Sequence, residues 1–187
     1  MSLAISLLSL IFSIAAIVVA YYIPKRIMVN QIYADLLAEY RTVEMGAAIF
    51  SIFKFYVKDC GNDVANIHQK YREKYDKQIE EPLNNEKPVN YSDTLHFQRR
   101  LVSHYFYHMA RLWLDNGSSN YTWKLIEKWI GKREIQLLAL VLHMAKPAAE
   151  VFEKAENLTE APSDYAEMNI VIQKLYKELL QRNGNIE

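Results

Sequence analysis

The chain has a single cysteine, and this scarcity excludes a disulfide within one molecule. That residue is Cys60, and a lone thiol is typical of a protein in a reducing compartment. No basic residue lies beside it in the sequence. We therefore interpret Cys60 as a small apolar residue at a helix end and not as a nucleophile.

An excess of charge of either sign is also absent. Lys plus Arg and Asp plus Glu number 22 each among 187 residues, so the formal net charge is zero. Because a nucleic-acid backbone is held by a basic surface, nucleic acid is not an expected partner. No cofactor motif is present. A phosphate-binding loop is excluded because the five glycines are scattered through the chain, at Gly46, Gly61, Gly117, Gly131 and Gly184.

Charged residues are missing altogether from Leu3 to Ile23. At a rise of 1.5 Å per residue, about 20 apolar residues cross a hydrocarbon core of about 30 Å. A cleaved leader is not predicted, because nothing before Lys25 is basic and the apolar run is too long. We therefore divide the chain into a transmembrane anchor over residues 1–24 and a helical domain over residues 25–187.

The first cations after this segment predict its orientation. They are Lys25 and Arg26, and the positive-inside rule places such charges in the cytoplasm. We expect a single-pass protein of the cell inner membrane with its N-terminus outside and its C-terminal domain cytoplasmic. Pro24 disfavours a helical conformation in the residue before it, so a break or kink is expected at Ile23.

The apolar segment also carries a stripe of small residues at steps of four and three. Such a stripe lets two helix backbones approach closely, which favours association in lipid. One interpretation is therefore a homo-oligomer formed through the span. The alternatives are a chance pattern exposed to lipid, or another partner. The stripe consists of Ser2, Ser6, Ser9, Ser13, Ala16 and Ala20.

Downstream of the span, helical periodicity continues and no strand pattern appears, so the predicted class is all-α. We expect an irregular bundle of about five to seven helices. Thr42 is a predicted helix cap, Ser92 is predicted to open a helix that Asn116 closes, and Asn120 is predicted to cap the next. The helix after Thr42 is predicted to bury the face that carries Ala47, Phe50, Phe53 and Val57.

Two histidines offer the best candidate for chemistry. His104 and His108 are four residues apart, so both imidazoles lie on one helical face where they could share a metal ion. The glutamate of an H-E-x-x-H site is missing, because Tyr105 occupies that position. The alternative is that the two rings lie at the edge of an aromatic core and hydrogen-bond to neighbours.

Arg99 and Arg100 have two interpretations as well. A guanidinium presents a planar fork of donors that suits an anionic ligand or a headgroup, but it also pairs with carboxylates of its own fold.

The segment from Arg99 to Phe106, together with that from Glu39 to Met45, resembles a group of bacterial membrane proteins of unknown function. These proteins have one N-terminal span and a helical cytoplasmic domain. The resemblance implies a fold and a location, and it suggests Glu39 and Glu44 as partners of the arginines. It implies no reaction and no catalytic residue.

Two functional hypotheses follow. The first is a membrane-anchored helical interaction or scaffold module, which presents a surface to the bilayer and to a partner protein or another copy of itself. The alternative is a ligand- or metal-responsive membrane sensor that uses the helix predicted over residues 92–115. An enzyme is not expected, because no convergent catalytic constellation is recognised.

Overall fold

The computed structural model describes residues 2–155 and 163–182, with the side chains of residues 6–151, 153 and 166–182. Within these ranges the regular structure is helical and no strand occurs, which confirms the all-α class. Short 3-10 and π-helical turns extend several helices. The α-helices are α1 (Ser2–Tyr40), α2 (Val43–Lys54), α3 (Ile67–Tyr75), α4 (Glu81–Asn84), α5 (Leu95–Asp115), α6 (Asn120–Glu127), α7 (Lys132–His143), α8 (Ala145–Ala155) and α9 (Ser163–Arg182).

Helix α1 passes through Pro24 without ending, so the break expected at Ile23 is wrong. A proline removes one backbone donor from the helix, but its fixed φ is itself helical. The rest of this 39-residue helix maintains it despite that loss. The apolar segment and the first helix of the domain are therefore one continuous element.

Helix α5 lies at the centre of the domain, with α1, α2 and α9 packed along it. Its inner face is fully buried at Val102, Tyr105, Phe106 and Met109. Leu101 is partly buried and packs against this core. Helix α9 contributes Ile172, Leu175 and Leu179 to the same core, as its apolar spacing indicates.

The face of α2 that packs on α5 differs from the predicted one. Ile49 and Ile52 are buried, whereas Phe50 is 67% exposed and Val57 is 51% exposed. Both sides of α2 carry apolar residues, so the sequence pattern alone does not distinguish them. The buried side is selected by how α2 fits against α5.

One predicted helix cap is confirmed, and two others lie one or two residues from the predicted positions. The Thr42 hydroxyl accepts a hydrogen bond from the Met45 amide at 3.2 Å, which confirms the predicted cap. Thr94, and not Ser92, caps α5, while Ser119, and not Asn120, caps α6. Ser92 lies in a preceding 3-10 turn, where its hydroxyl donates to a neighbouring side chain.

Two glycines adopt a left-handed conformation between helices. Gly61 has φ +65° and Gly117 has φ +67°, conformations in which a residue with a Cβ is disfavoured. The first lies between α2 and α3 and the second between α5 and α6. The turn at Gly117 brings the start of α6 back alongside α1.

Candidate functional site

The second half of α1 is held to the domain by tyrosine hydroxyls. Tyr33 donates a hydrogen bond to the Leu125 carbonyl of α6 at 2.6 Å. In the opposite direction, the Tyr121 hydroxyl donates to Asn30 Oδ1 at 2.6 Å. Burial raises the pKa of Tyr33, which keeps its hydroxyl protonated and able to donate.

The end of α1 is held by a carboxylate of α7. Tyr40 donates to Glu134 Oε1 at 3.0 Å, and the Gly131 amide donates to Glu134 Oε2 at 3.0 Å. The Tyr40 ring also meets the Trp129 ring edge to face, with centroids 5.4 Å apart. Burial and the Glu134 charge raise the pKa of Tyr40 to about 12. Helix α1 is thus attached to the domain along the whole length from Asn30 to Tyr40.

The first half of α1 is in a different environment. Its described residues from Ser6 to Pro24 are exposed, including Phe12 at 70% and Ile17 at 69%. A core helix of a soluble domain would be mostly buried over this length. Within the described residues, α1 is the helix long and apolar enough to cross a membrane.

The small-residue stripe lies on this exposed segment. The Ser13 hydroxyl donates to the Ser9 carbonyl at 2.9 Å, so it is satisfied within its own helix. The side chain of Ser2 lies outside the part that the structure describes. The remaining members are all exposed: Ser6, Ser9, Ser13, Ala16 and Ala20.

The stripe and the domain lie on opposite sides of α1. At about 100° per residue, the stripe continues beyond the apolar segment through Ile27, Gln31 and Ala34, all of which are exposed. The buried residues Val29 and Leu36 lie about 140 to 160° away from Ser13 around the helix. The domain therefore leaves this face of α1 uncovered along the described helix.

A groove of about 490 Å³ lies between α1 and the C-terminal half of α5. Apolar side chains alternate with charged ones along it. Its volume is within the range of small-molecule sites. The α1 side consists of Met28, Ile32, Asp35, Leu36 and Glu39, and the α5 side of His108, Arg111, Leu112, Asp115 and Asn116.

The structure brings the two candidate histidines together. The His104 and His108 ring centroids are 6.2 Å apart on α5, with His104 partly buried and His108 exposed at the groove. Burial, followed by the charge of Arg100, lowers the pKa of His104 and favours its neutral form. No group of three or more metal-ligating side chains occurs among the described residues. Metal binding at this pair therefore stays a prediction.

The two arginines occupy different environments. Arg99 is fully buried, and its Nη1 lies 3.4 Å from Ser103 Oγ as a donor. Arg100 is exposed. Of their proposed partners, Glu39 lines the groove and Glu44 is exposed in the first turn of α2.

His96 lies beside this buried arginine. Its Nδ1 is 2.9 Å from the Tyr71 hydroxyl. Burial and the charges of Arg99 and Arg100 lower the pKa of His96 to about 4. This imidazole is therefore neutral near pH 7. It lies partly buried against the Tyr71 ring, a position that the sequence does not indicate.

Cys60 is buried, in agreement with its interpretation as an apolar residue. Burial and the neighbouring Asp59 carboxylate raise the pKa of its thiol to about 11. The thiol therefore stays protonated near pH 7, and a protonated thiol is a poor nucleophile.

The tyrosine contacts and the groove could not be predicted from the sequence. Tyr33 and its acceptor Leu125 are 92 residues apart, and Tyr40 and Glu134 are 94 apart. The available signal was the position of Tyr33 and Tyr40 on the apolar face of α1, which indicates burial but names no partner.

These features define an all-α protein in which the described residues contain one helix that is long and apolar enough to cross a membrane. No family model matches the chain, and the comparisons with curated proteins and with solved structures also found no match.

Proposed function

We propose that the protein is a membrane-anchored helical interaction module. Helix α1 spans the bilayer through its first half and carries the domain on its second half. The observation that supports this proposal is the continuity of α1, which is exposed from Ser6 to Pro24 and fixed in the domain from Asn30 to Tyr40.

The exposed apolar surface supports the anchor. Side chains such as Leu7, Phe12 and Ile17 are each more than half exposed, and they are distributed around the helix. Exposure of a contiguous apolar surface of this length to water is unfavourable, whereas its transfer into the hydrocarbon interior of a bilayer is favourable. The bilayer is therefore the first proposed partner of α1.

The charges next to the apolar segment support the orientation. Lys25 and Arg26 follow it directly, and no charged residue lies within it. Under the positive-inside rule, the domain lies in the cytoplasm at the inner membrane and the N-terminus lies outside.

The second proposed partner is another copy of the chain. The exposed stripe from Ser6 to Ala20 continues as Ile27, Gln31 and Ala34, on the side of α1 away from the domain. The domain of each copy therefore leaves uncovered the face through which two α1 helices would meet. Small side chains permit the close contact that drives helix association in lipid.

A topology experiment tests the anchor and its orientation. Reporters fused after Glu187 should give fluorescence from green fluorescent protein and no alkaline phosphatase activity, because the second enzyme requires the periplasm. The full chain should also resist extraction from membranes by alkaline carbonate. Phosphatase activity would reverse the orientation, and release by carbonate would reject the span.

The groove between α1 and α5 favours a second candidate function, that of a ligand- or metal-responsive membrane sensor. It contains His108 and Arg111 and lies beside the part of α1 that leaves the bilayer. Metal analysis of the purified full chain and titration with Zn²⁺ test this candidate. Binding that is lost in His108→Ala but kept in His143→Ala would support it, and a chain that binds no Zn²⁺ would reject its metal form.

A further inference from the structure

A small cavity lies where the apolar segment of α1 ends and the turn between α5 and α6 approaches it. Its volume is about 150 Å³. Tyr22, Lys25 and Arg26 line it from α1, and Ser119 and Tyr121 line it from the start of α6. Because one water takes about 30 Å³ of liquid, the space fits roughly five waters, which is too little for a drug-sized ligand. The cavity fits a compact polar group.

The lining of this cavity is positively charged. It includes the cationic side chains of Lys25 and Arg26 and no carboxylate. Among the described residues, neither cation takes part in an ion pair. Asp115 lines the neighbouring groove and not this cavity. Its carboxylate pairs with Arg111, with 3.3 Å between Oδ2 and Nε. An anion in the cavity would therefore meet two positive charges that no carboxylate of the described part of the chain neutralises.

The Arg26 guanidinium is held in position by α6. Its Cζ lies 5.0 Å from the centroid of the Tyr121 ring. That ring is fixed in turn by the hydrogen bond from its hydroxyl to Asn30, at 2.6 Å. A guanidinium stacked on an aromatic face keeps its N–H donors at the edge, where they suit the paired oxygens of a phosphate.

The cavity lies at the level at which the apolar segment ends. Lys25 follows Ile23 by two residues, which corresponds to about 3 Å along the helix axis. If α1 spans the bilayer as proposed above, this is the level of the lipid phosphates, and basic pockets at this level bind anionic headgroups. We infer that the cavity is a binding site for a phosphate group, supplied by the headgroup of an anionic phospholipid. The inference rests on the proposed membrane anchor.

Lipid titration of the purified full chain in mild detergent tests the site. Phosphatidylglycerol, phosphatidylcholine and inorganic phosphate are added separately, and bound molecules are counted by native mass spectrometry. Phosphatidylglycerol should bind more tightly than the other two. The double variant Lys25→Gln with Arg26→Gln should bind it roughly 30-fold more weakly, from the usual contribution of two cations near a membrane surface.

Two further variants separate a site from general attraction between charges. Lys128→Gln with Lys132→Gln makes the same charge change at exposed positions near the turn between α6 and α7, and it should keep the affinity of the unmodified chain. Arg26→Lys keeps the charge at an exposed position but loses the planar fork, so it should bind several-fold more weakly. Equal losses in the two double variants, or no loss in Arg26→Lys, would overturn the site.

The three probes distinguish the source of the phosphate group. Inorganic phosphate that binds as tightly as phosphatidylglycerol would overturn the lipid source. Equal affinity for phosphatidylglycerol and phosphatidylcholine would overturn selection of an anionic headgroup. Neither result affects carbonate extraction or reporter topology, so failure of this site is distinguishable from failure of the anchor.

Discussion

The Tyr40 hydroxyl donates a hydrogen bond to the Glu134 carboxylate at 3.0 Å and thereby joins the end of α1 to the start of α7. The other oxygen of Glu134 already accepts from the Gly131 amide at 3.0 Å, in a capping box. One carboxylate therefore both begins α7 and holds α1 against it. The orientation of α1 relative to the domain depends on this contact together with the hydrogen bonds of Tyr33 and Tyr121.

Tyr40→Phe should destabilise the domain by about 1 to 2 kcal/mol, because it removes a partly buried hydrogen bond to a charged acceptor. For a domain of this size, the midpoint of thermal unfolding should fall by roughly 2 to 8 °C. Circular dichroism of the full chain in mild detergent measures this change. Tyr91→Phe is the matched control, since Tyr91 is 52% exposed. Equal midpoints for the two variants would show that the Glu134 contact contributes nothing.

Two adjacent residues of α2 test which of its faces is buried. Ile49 is 3% exposed and Phe50 is 67% exposed. Ile49→Ala should cost about 2 to 5 kcal/mol of unfolding free energy through cavity formation in the core. Phe50→Ala should cost less than about 1 kcal/mol, as is usual for surface positions. Thermal unfolding of the two variants decides the point, and the reverse order would restore the face that the sequence pattern predicted.

His96 predicts loss of stability in mild acid. Burial and the neighbouring arginines lower its pKa from 6.5 to about 4, so the fold favours the neutral imidazole. Its contribution is therefore complete above pH 6.5 and is lost as the pH falls from 6.5 toward 4, with a total of about 3 kcal/mol. His96→Asn, which keeps an acceptor for Tyr71, should flatten the stability curve over that range. The exposed His143→Asn should leave the curve unchanged. If the stability of His96→Asn fell with pH as steeply as that of the unmodified chain, His96 would not be the cause of the acid sensitivity.

The stripe on α1 predicts how self-association responds to mutation. Ser9→Leu and Ser13→Leu keep the segment apolar but fill the small-residue face, so chemical crosslinking in intact membranes should yield less dimer. Leu7→Ile and Ile11→Leu lie on the opposite side and should leave the yield unchanged. Because the Ser13 hydroxyl is already bonded to the Ser9 carbonyl, lost packing and not lost hydrogen bonding should cause the effect. Equal dimer yields would reject this interface.

The class of the fold could be predicted from the sequence, because helical periodicity and glycine breaks are local signals. Thr42 and Gly117 lie at helix ends for reasons that a few neighbouring residues determine. The burial of Ile49 instead of Phe50 could not be predicted, since α2 is apolar on both sides and the choice depends on α5. Local steric rules also predicted a break before Pro24, but the rest of a long helix outweighs them.

The candidate sites also contain some features that local sequence predicts and others that depend on tertiary packing. The pairing of His104 with His108 follows from helical spacing and is present, with ring centroids 6.2 Å apart. The groove beside His108 needs α1 to pack against α5, which joins residues far apart in the chain. The cavity lined by Lys25 and Arg26 likewise needs the Tyr121 ring to contact Arg26, and no local sequence pattern indicates that contact. Tertiary packing therefore creates the sites, while local spacing creates only their components.

If α1 spans the bilayer as proposed, its continuity through Pro24 makes the apolar segment a lever for the domain. From Pro24 to Tyr40 the helix extends about 24 Å beyond the apolar segment. A change of about 10° in the tilt of the span would therefore displace Tyr40 by about 4 Å. Bilayers of different membranes also differ in thickness by a few Å, and spans adapt to such differences by tilting. Because Tyr33 and Tyr40 attach this arm to α6 and α7, the domain would move with the span as one body. Bilayer thickness would thus set the height and inclination of the domain above the membrane.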